Sequence, residues 1–110
     1  MHRTLIVARL NGQSCERIAD VFAESDRGEL PGLIGVTGRS LFRFGGLYLH
    51  LVEGNHPIAP EVARHVRHPA FREVSAQLAP YVRAYDPETW RGPKDAMAEE
   101  FYRWEAGPGV

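Results

Sequence analysis

Cysteine is all but missing from this chain. Cys15 stands alone among 110 residues, so no internal disulfide can form, and a reducing cytoplasm is the expected compartment. An unpaired cysteine usually behaves as a small hydrophobe, and packing is the expected role here. Net charge is nearly missing too: 13 Lys and Arg against 14 Asp and Glu leave a formal −1. That balance supplies no positive field for phosphates, so nucleic acid is not an expected partner. No apolar run approaches the ~20 residues that a membrane helix needs, so no membrane partner is expected either. The opening segment MHRTLIVARL lacks a long apolar core followed by a small-residue cleavage site. What is present is 44% hydrophobic and 25% charged, the balance of an ordinary globular domain with one modest core.

Against this plain background, residues 39–53 (RSLFRFGGLYLHLVE) stand out. Gly45-Gly46 between alternating hydrophobics signals a hairpin, because a two-residue primed turn of this kind needs φ > 0 at both central positions. Such a turn pairs Phe44 with Leu47, Arg43 with Tyr48, Phe42 with Leu49, Leu41 with His50 and Ser40 with Leu51. The pleat then sorts the side chains into two faces. Phe42, Phe44, Leu47, Leu49 and Leu51 form an apolar face, while Arg39, Arg43, Tyr48 and His50 share the other with Leu41 and Val52. Both arginines are diagonal neighbours of His50, about 7–8 Å away along the backbone, a gap that long side chains close. A histidine flanked by two guanidiniums and a phenol suits acid/base work on an oxyanion. The plainer alternative is a solvated face, since antiparallel sheets often keep one side wet.

Residues 4–10 (TLIVARL) read as a buried strand that Asn11-Gly12 ends. Ser14 is placed to cap a helix over 15–25, with Glu16 in its first turn and Ile18, Val21 and Phe22 on one stripe. Asp26 falls at the C-terminal end of that helix, an electrostatically unfavourable place for a carboxylate. Pro31-Gly32 turns the chain into a strand from about Ile34 to Phe44, and its partner runs from Leu47 to Gly54. Pro60 suits the first turn of a second helix carrying Val62 and Val66, which His68-Pro69 interrupts. It restarts with Phe71, Val74 and Leu78 and ends near Pro80. Residues 85–95 read as irregular, and residues 98–105 (AEEFYRWE) alternate well enough to be the last strand. His56, His65 and His68 lie close in sequence, but no third ligand completes a set, and no metal is expected.

The order β-α-β-β-α-loop-β is an α+β arrangement, the ferredoxin-like split βαβ, with a four-stranded antiparallel sheet and both helices on one face. The uncovered face must be polar or partnered, and the apolar hairpin residues are too many to leave in water. A homodimer joined through apolar sheet faces is therefore expected. Arg39, Arg43, Tyr48 and His50 then look toward the helices and line a hollow. A small domain seldom buries four polar groups without a use for them.

Residues 28–53 (GELPGLIGVTGRSLFRFGGLYLHLVE), 67–74 (RHPAFREV) and 98–105 (AEEFYRWE), in that order and spacing, resemble the tetracenomycin-type aromatic polyketide cyclases of actinomycetes. These belong to the dimeric α+β barrel superfamily. The likeness covers nearly the whole chain, which makes residues 1–110 a single polyketide cyclase domain. It implies a dimeric cytoplasmic enzyme with no cofactor. The implied reaction is aldol-type ring closure and dehydration of a poly-β-ketone intermediate, free or carrier-protein-bound. The other components of a type II polyketide synthase would supply that intermediate.

The resemblance also implies that Asp26, Arg39 and His50 sit in the cleft. Members of the family carry a histidine just before that aspartate, where this chain has Ser25, so that histidine's role does not transfer. Ser25 is left as a substrate contact. Arg39, a permanent cation, is expected to hold an enolate or alkoxide. His50 is expected to move protons, and Asp26 to orient His50 or act as the base. Tyr48 and Arg43 complete the expected substrate contacts. Two other readings stay open: a cofactor-independent monooxygenase forming a quinone on a polycyclic aromatic polyketide, and a non-catalytic subunit that docks on the synthase and biases chain folding.

Overall fold

The computed structural model describes residues 1–12 and 15–107. The hairpin is its spine. Strands β2 (Val36–Phe44) and β3 (Leu47–Gly54) run antiparallel, with Phe44 opposite Leu47, Arg43 opposite Tyr48 and Leu41 opposite His50. That is the register a two-residue loop dictates. Gly45 has φ 58° and Gly46 is not among the positive-φ glycines, so one turn position alone needs glycine's freedom, the II′ requirement rather than I′. Strand β1 (His2–Leu10) pairs with the other edge of β3 and sets Ile6 opposite His50 and Ala8 opposite Tyr48.

The fourth strand is not at residues 98–105. It is β4 (Val82–Ala84), antiparallel to Ala8–Leu10 of β1, and it completes the sheet order β2-β3-β1-β4. The chain then loops out through a 3₁₀ turn at Pro93–Ala96 and regains β1 at the Ile6–Met97 bridge, where the Ala98 N–H bonds Leu5 O at 2.7 Å. Among the described residues beyond that point no regular element forms, and Phe101, Tyr102 and Trp104 are 95%, 77% and 68% exposed. Alternation marks an extended segment with an apolar side. It does not supply an edge to pair with, and β4 and the Met97 bridge already occupy the Ile6–Leu10 stretch of that β1 edge.

Helix α1 (Cys15–Ser25) buries Ile18 and Phe22; Ser14, its expected cap, lies outside the described residues. Pro31-Gly32 does not lead straight into β2. A short helix, α2 (Leu30–Ile34), intervenes, with Pro31 in its first turn and Gly35 (φ 88°) closing it by donating to Pro31 O at 2.8 Å. The break at His68-Pro69 separates α3 (Ile58–His65) from α4 (Pro69–Leu78), and the His68 ring accepts the Ala70 N–H at 3.1 Å to cap α4.

Among the described residues, helices α1 to α4 all cover the sheet face that carries Tyr48, His50 and Val52. Val52 packs with Leu30, Ile34, Ile58 and Val62, while Tyr48 packs with Ala8, Ile18 and Phe22. His50 lies between these two clusters and is 5% exposed. Among the described residues, no helix is long and apolar enough to cross a membrane.

Candidate functional site

Strict alternation along β3 buries Tyr48, His50 and Val52, so these three side chains project beneath the helices. Arg39 on β2 stands opposite Val52 and one step diagonally from His50. Its Nη1 lies 3.0 Å from His50 Nε2. Its Nε and Nη2 donate to the Asp26 carboxylate at 2.8–3.1 Å. Asp26 follows α1 and extends its ladder by donating N–H to Phe22 O at 2.8 Å. A guanidinium bound through two nitrogens offsets the unfavourable placement of this carboxylate at a helix C-terminus.

Phe22 fixes the same group from above. The Arg39 Cζ sits 4.8 Å over its ring, and the Phe22 and His50 rings meet in an edge-type contact at a centroid distance of 4.9 Å. His50 Nδ1 is 3.0 Å from the Tyr48 hydroxyl. Asp26, Arg39, His50 and Tyr48 therefore form one continuous hydrogen-bonded line. Burial first, and the Arg39 charge second, lower the His50 pKa to about 3. Burial pushes the Tyr48 phenol up, with Arg39 opposing in part. Near neutral pH the site thus holds a neutral imidazole and a protonated phenol.

Arg39, His50 and Tyr48 of this line form part of the wall of a cavity of about 470 Å³ between sheet and helices, within the size range of small-molecule sites. Ser25, Arg39, Tyr48 and His50 reach its lining, against apolar walls from Phe22, Ile34, Val74 and Leu78. The loop after β4 adds Trp90 and Met97.

Four of the six residues expected at the site are therefore gathered around one space. Asp26 is bonded to Arg39 rather than to His50 and acts from behind the wall. Arg43 is exposed and lines a separate open depression with Glu16 and Arg17. Phe22 was legible only as a core position, although it sits one turn before Asp26. Trp90, a large aromatic in a turn-rich segment, reads from sequence as a core or cleft-rim residue, and it reaches the cavity lining.

Among the described residues, no three His, Cys, Asp or Glu side chains gather as a metal set. His65 Nδ1 donates to Glu61 O at 2.7 Å, His68 caps α4, and the His56 ring packs against Gly35.

Residues 2–105 match the family model for polyketide synthesis cyclases. The chain is 62% identical over 109 residues to an uncharacterised protein of Streptomyces coelicolor, with 98% of each covered. It is 50% identical over 105 residues to the polyketide synthase CurG of Streptomyces cyaneus, covering 96% of this chain and 98% of that one. Against the tetracenomycin F2 cyclase of Streptomyces glaucescens it is 41% identical over 105 residues, covering 96% and 95%. The solved structure of that cyclase, described as a type II polyketide cyclase, matches with a TM-score of 0.90 at 40% identity, over 97% of this chain and 100% of that one.

Proposed function

The chain belongs to the polyketide synthesis cyclase family, and from that premise we propose that it closes and dehydrates a ring in a poly-β-ketone intermediate by aldol chemistry without a cofactor. The observation that carries this reading is the apolar cavity of about 470 Å³ with Arg39, His50 and Tyr48 on its wall and Asp26 behind Arg39. A methylene between two carbonyls is already acidic, so the site has three tasks. It must fold a flexible chain, hold negative charge on oxygen and manage protons during loss of water. Orientation alone accounts for about 7–11 kcal/mol of such a barrier, and the shaped apolar walls serve it.

Arg39 is the group that meets the enolate or alkoxide. Three of its five N–H bonds are taken by Asp26 and His50, and two remain for substrate oxygen. Asp26 is a positioning residue that clamps the guanidinium. His50 works as a neutral imidazole: both ring nitrogens are engaged, and its lowered pKa makes it a weak base. This shifts its role away from carrying protons and toward aligning its neighbours. Ser25 on the cavity wall is a substrate contact in the same reading.

The reading includes a homodimer. Phe42 and Phe44 on the uncovered sheet face are 54% and 75% exposed, and a second copy meeting them sheet to sheet removes them from water. The substrate comes from the other components of a type II polyketide synthase, free or carrier-bound.

The test is incubation of the purified chain with a multicyclic polyketide intermediate, followed by mass analysis. Loss of one water is expected. Gain of oxygen would make the chain a monooxygenase, and conversion only with the synthase present would make it a docking subunit.

A further inference from the structure

Resting on the cyclase reading, we propose that Tyr48 is the hydrogen-bond donor that meets the developing oxyanion beside Arg39, its hydroxyl proton turned into the cavity by a one-way relay through His50. The direction of the relay follows from donor chemistry alone. An arginine has no acceptor, so across the 3.0 Å contact Arg39 Nη1 donates and His50 Nε2 accepts. A neutral imidazole whose Nε2 carries a lone pair has its proton on Nδ1. That N–H faces the Tyr48 oxygen at 3.0 Å and donates to it. The phenol proton is then displaced from the histidine. Among the described residues, no side-chain or backbone acceptor takes it, and Tyr48 lines the cavity.

Three donors therefore run head to tail from cation to phenol. Hydrogen bonds aligned in this way polarise one another, most strongly away from water. Asp26 holds the head of the relay, and Phe22 packs against its middle in an edge-type ring contact. Tyr48 is 5% exposed, so its donor is fixed before substrate arrives, the condition under which such groups stabilise a transition state. Burial also keeps the phenol protonated. It gives a hydrogen bond to the oxyanion and keeps its proton, so no covalent bond changes at this residue.

The experiment separates this role from folding and from the cyclase assignment. The probes are 2-naphtholate as an oxyanion and 2-methoxynaphthalene as its neutral counterpart, titrated by fluorescence into the full chain. Wild type is expected to favour the anion, and Tyr48→Phe to cut that preference about tenfold, the scale of one hydrogen bond to a charged group. On a polyketide intermediate, Tyr48→Phe is expected to lower kcat about 100-fold with KM little changed. His50→Leu breaks the relay and should match Tyr48→Phe. His50→Gln accepts from Arg39 and donates to Tyr48 as the imidazole does, and should recover most of both losses.

An anion preference indifferent to Tyr48→Phe overturns the proposal, as does His50→Gln no better than His50→Leu. Should Tyr48→Phe fail to fold, 3-fluorotyrosine placed at position 48 makes the phenol a stronger donor. It should tighten naphtholate binding, and no tightening overturns the proposal. A Tyr48-dependent anion preference in a chain that cyclises nothing would uphold the relay and end the cyclase reading. Cyclisation untouched by Tyr48→Phe would do the reverse.

Discussion

The helix-covered face of the sheet carries Arg39, Tyr48 and His50, and the uncovered face carries Leu5, Phe42, Phe44, Leu47, Leu49 and Leu51. A soluble domain ordinarily arranges this the other way round, apolar residues inward and polar residues outward. Here the polar groups are buried, with His50 and Tyr48 each 5% exposed, while Phe44 is 75% exposed. The two faces tolerate their inversion for different reasons. Inside, every buried side-chain nitrogen and oxygen among the described residues has a hydrogen-bond partner, so most of the desolvation is met within the protein. Outside, no hydrogen bond helps an exposed phenylalanine, and relief has to come from another surface. On the proposed function, the inner face serves the chemistry and the outer face serves association with a second copy.

Breaking the inner face should have the largest effect. Arg39→Met keeps the length of the side chain but removes its charge and all five donors. Cyclase kcat/KM is expected to fall about 10²–10³-fold, the scale of losing an oxyanion donor. His50 Nε2 is then buried without a partner, at about 1–3 kcal/mol of stability, which thermal unfolding measures. Asp26→Asn leaves Arg39 in place with a looser clamp, so its activity should lie between Arg39→Met and wild type. A variant at Arg39 with wild-type rate would return the inner face to ordinary packing.

The outer face breaks next. Phe42→Asp puts a carboxylate where a second copy is expected to press, and removing one buried aromatic from an interface centre costs about 2–4 kcal/mol. Sedimentation at micromolar concentration is expected to report dimers for wild type and monomers for Phe42→Asp. An unchanged mass would move the interface off this face. Cyclase activity assayed on the same sample also tells whether the inner site works in one copy.

How much of this contrast could be read from the chain depends on the segment. The hairpin register and the sorting of Arg39, Tyr48 and His50 onto one face were legible, because Gly45-Gly46 fixes the turn and a period of two fixes the rest. Helix α2 was not, because Pro31-Gly32 reads as a turn when the left-handed Gly35 after it is overlooked. Strand β4 has three residues, too few for a periodic signal. Residues 98–105 have the signal and make no strand, because alternation reports an amphipathic segment and says nothing of which surface it meets. The same gap appears at the site. Its members were legible as residue types on one face, but Asp26 choosing Arg39 over His50 depends on where α1 ends relative to β2, which is a packing outcome.

The pH response sharpens the comparison further. Burial, with the Arg39 charge second, holds the His50 pKa at about 3 in the folded chain, against 6.5 for a histidine in water. Between those values the unfolded chain binds more protons, so stability is complete above pH 6.5 and is lost as pH falls toward 3. The slope from this group is at most about 1.4 kcal/mol per pH unit. Chemical denaturation across that range, wild type minus His50→Gln, isolates it from the carboxylates. The kcat/KM profile should also lack an inflection near pH 6.5, since the imidazole stays neutral there. An inflection at that pH abolished by His50→Gln would make His50 a proton carrier after all.

The smallest effect is expected at Arg43, and it is the sharpest test of why the two faces differ. Arg39 and Arg43 are the same residue type, four positions apart on one strand and on one face, each a diagonal neighbour of His50. Residue type and register cannot separate them. What separates them is the helix layer above. The end of α1 brings Asp26 and Phe22 to Arg39, whereas Arg43 lies near the open start of that helix beside Glu16 and Arg17. A guanidinium left in water forms no fixed geometry and carries little energy. Arg43→Ala should therefore change kcat/KM less than about twofold and stability by less than about 0.5 kcal/mol. A tenfold loss of activity would mean that substrate extends past the cavity along β2 to the hairpin end, and that the functional face is set by the strand rather than by its cover.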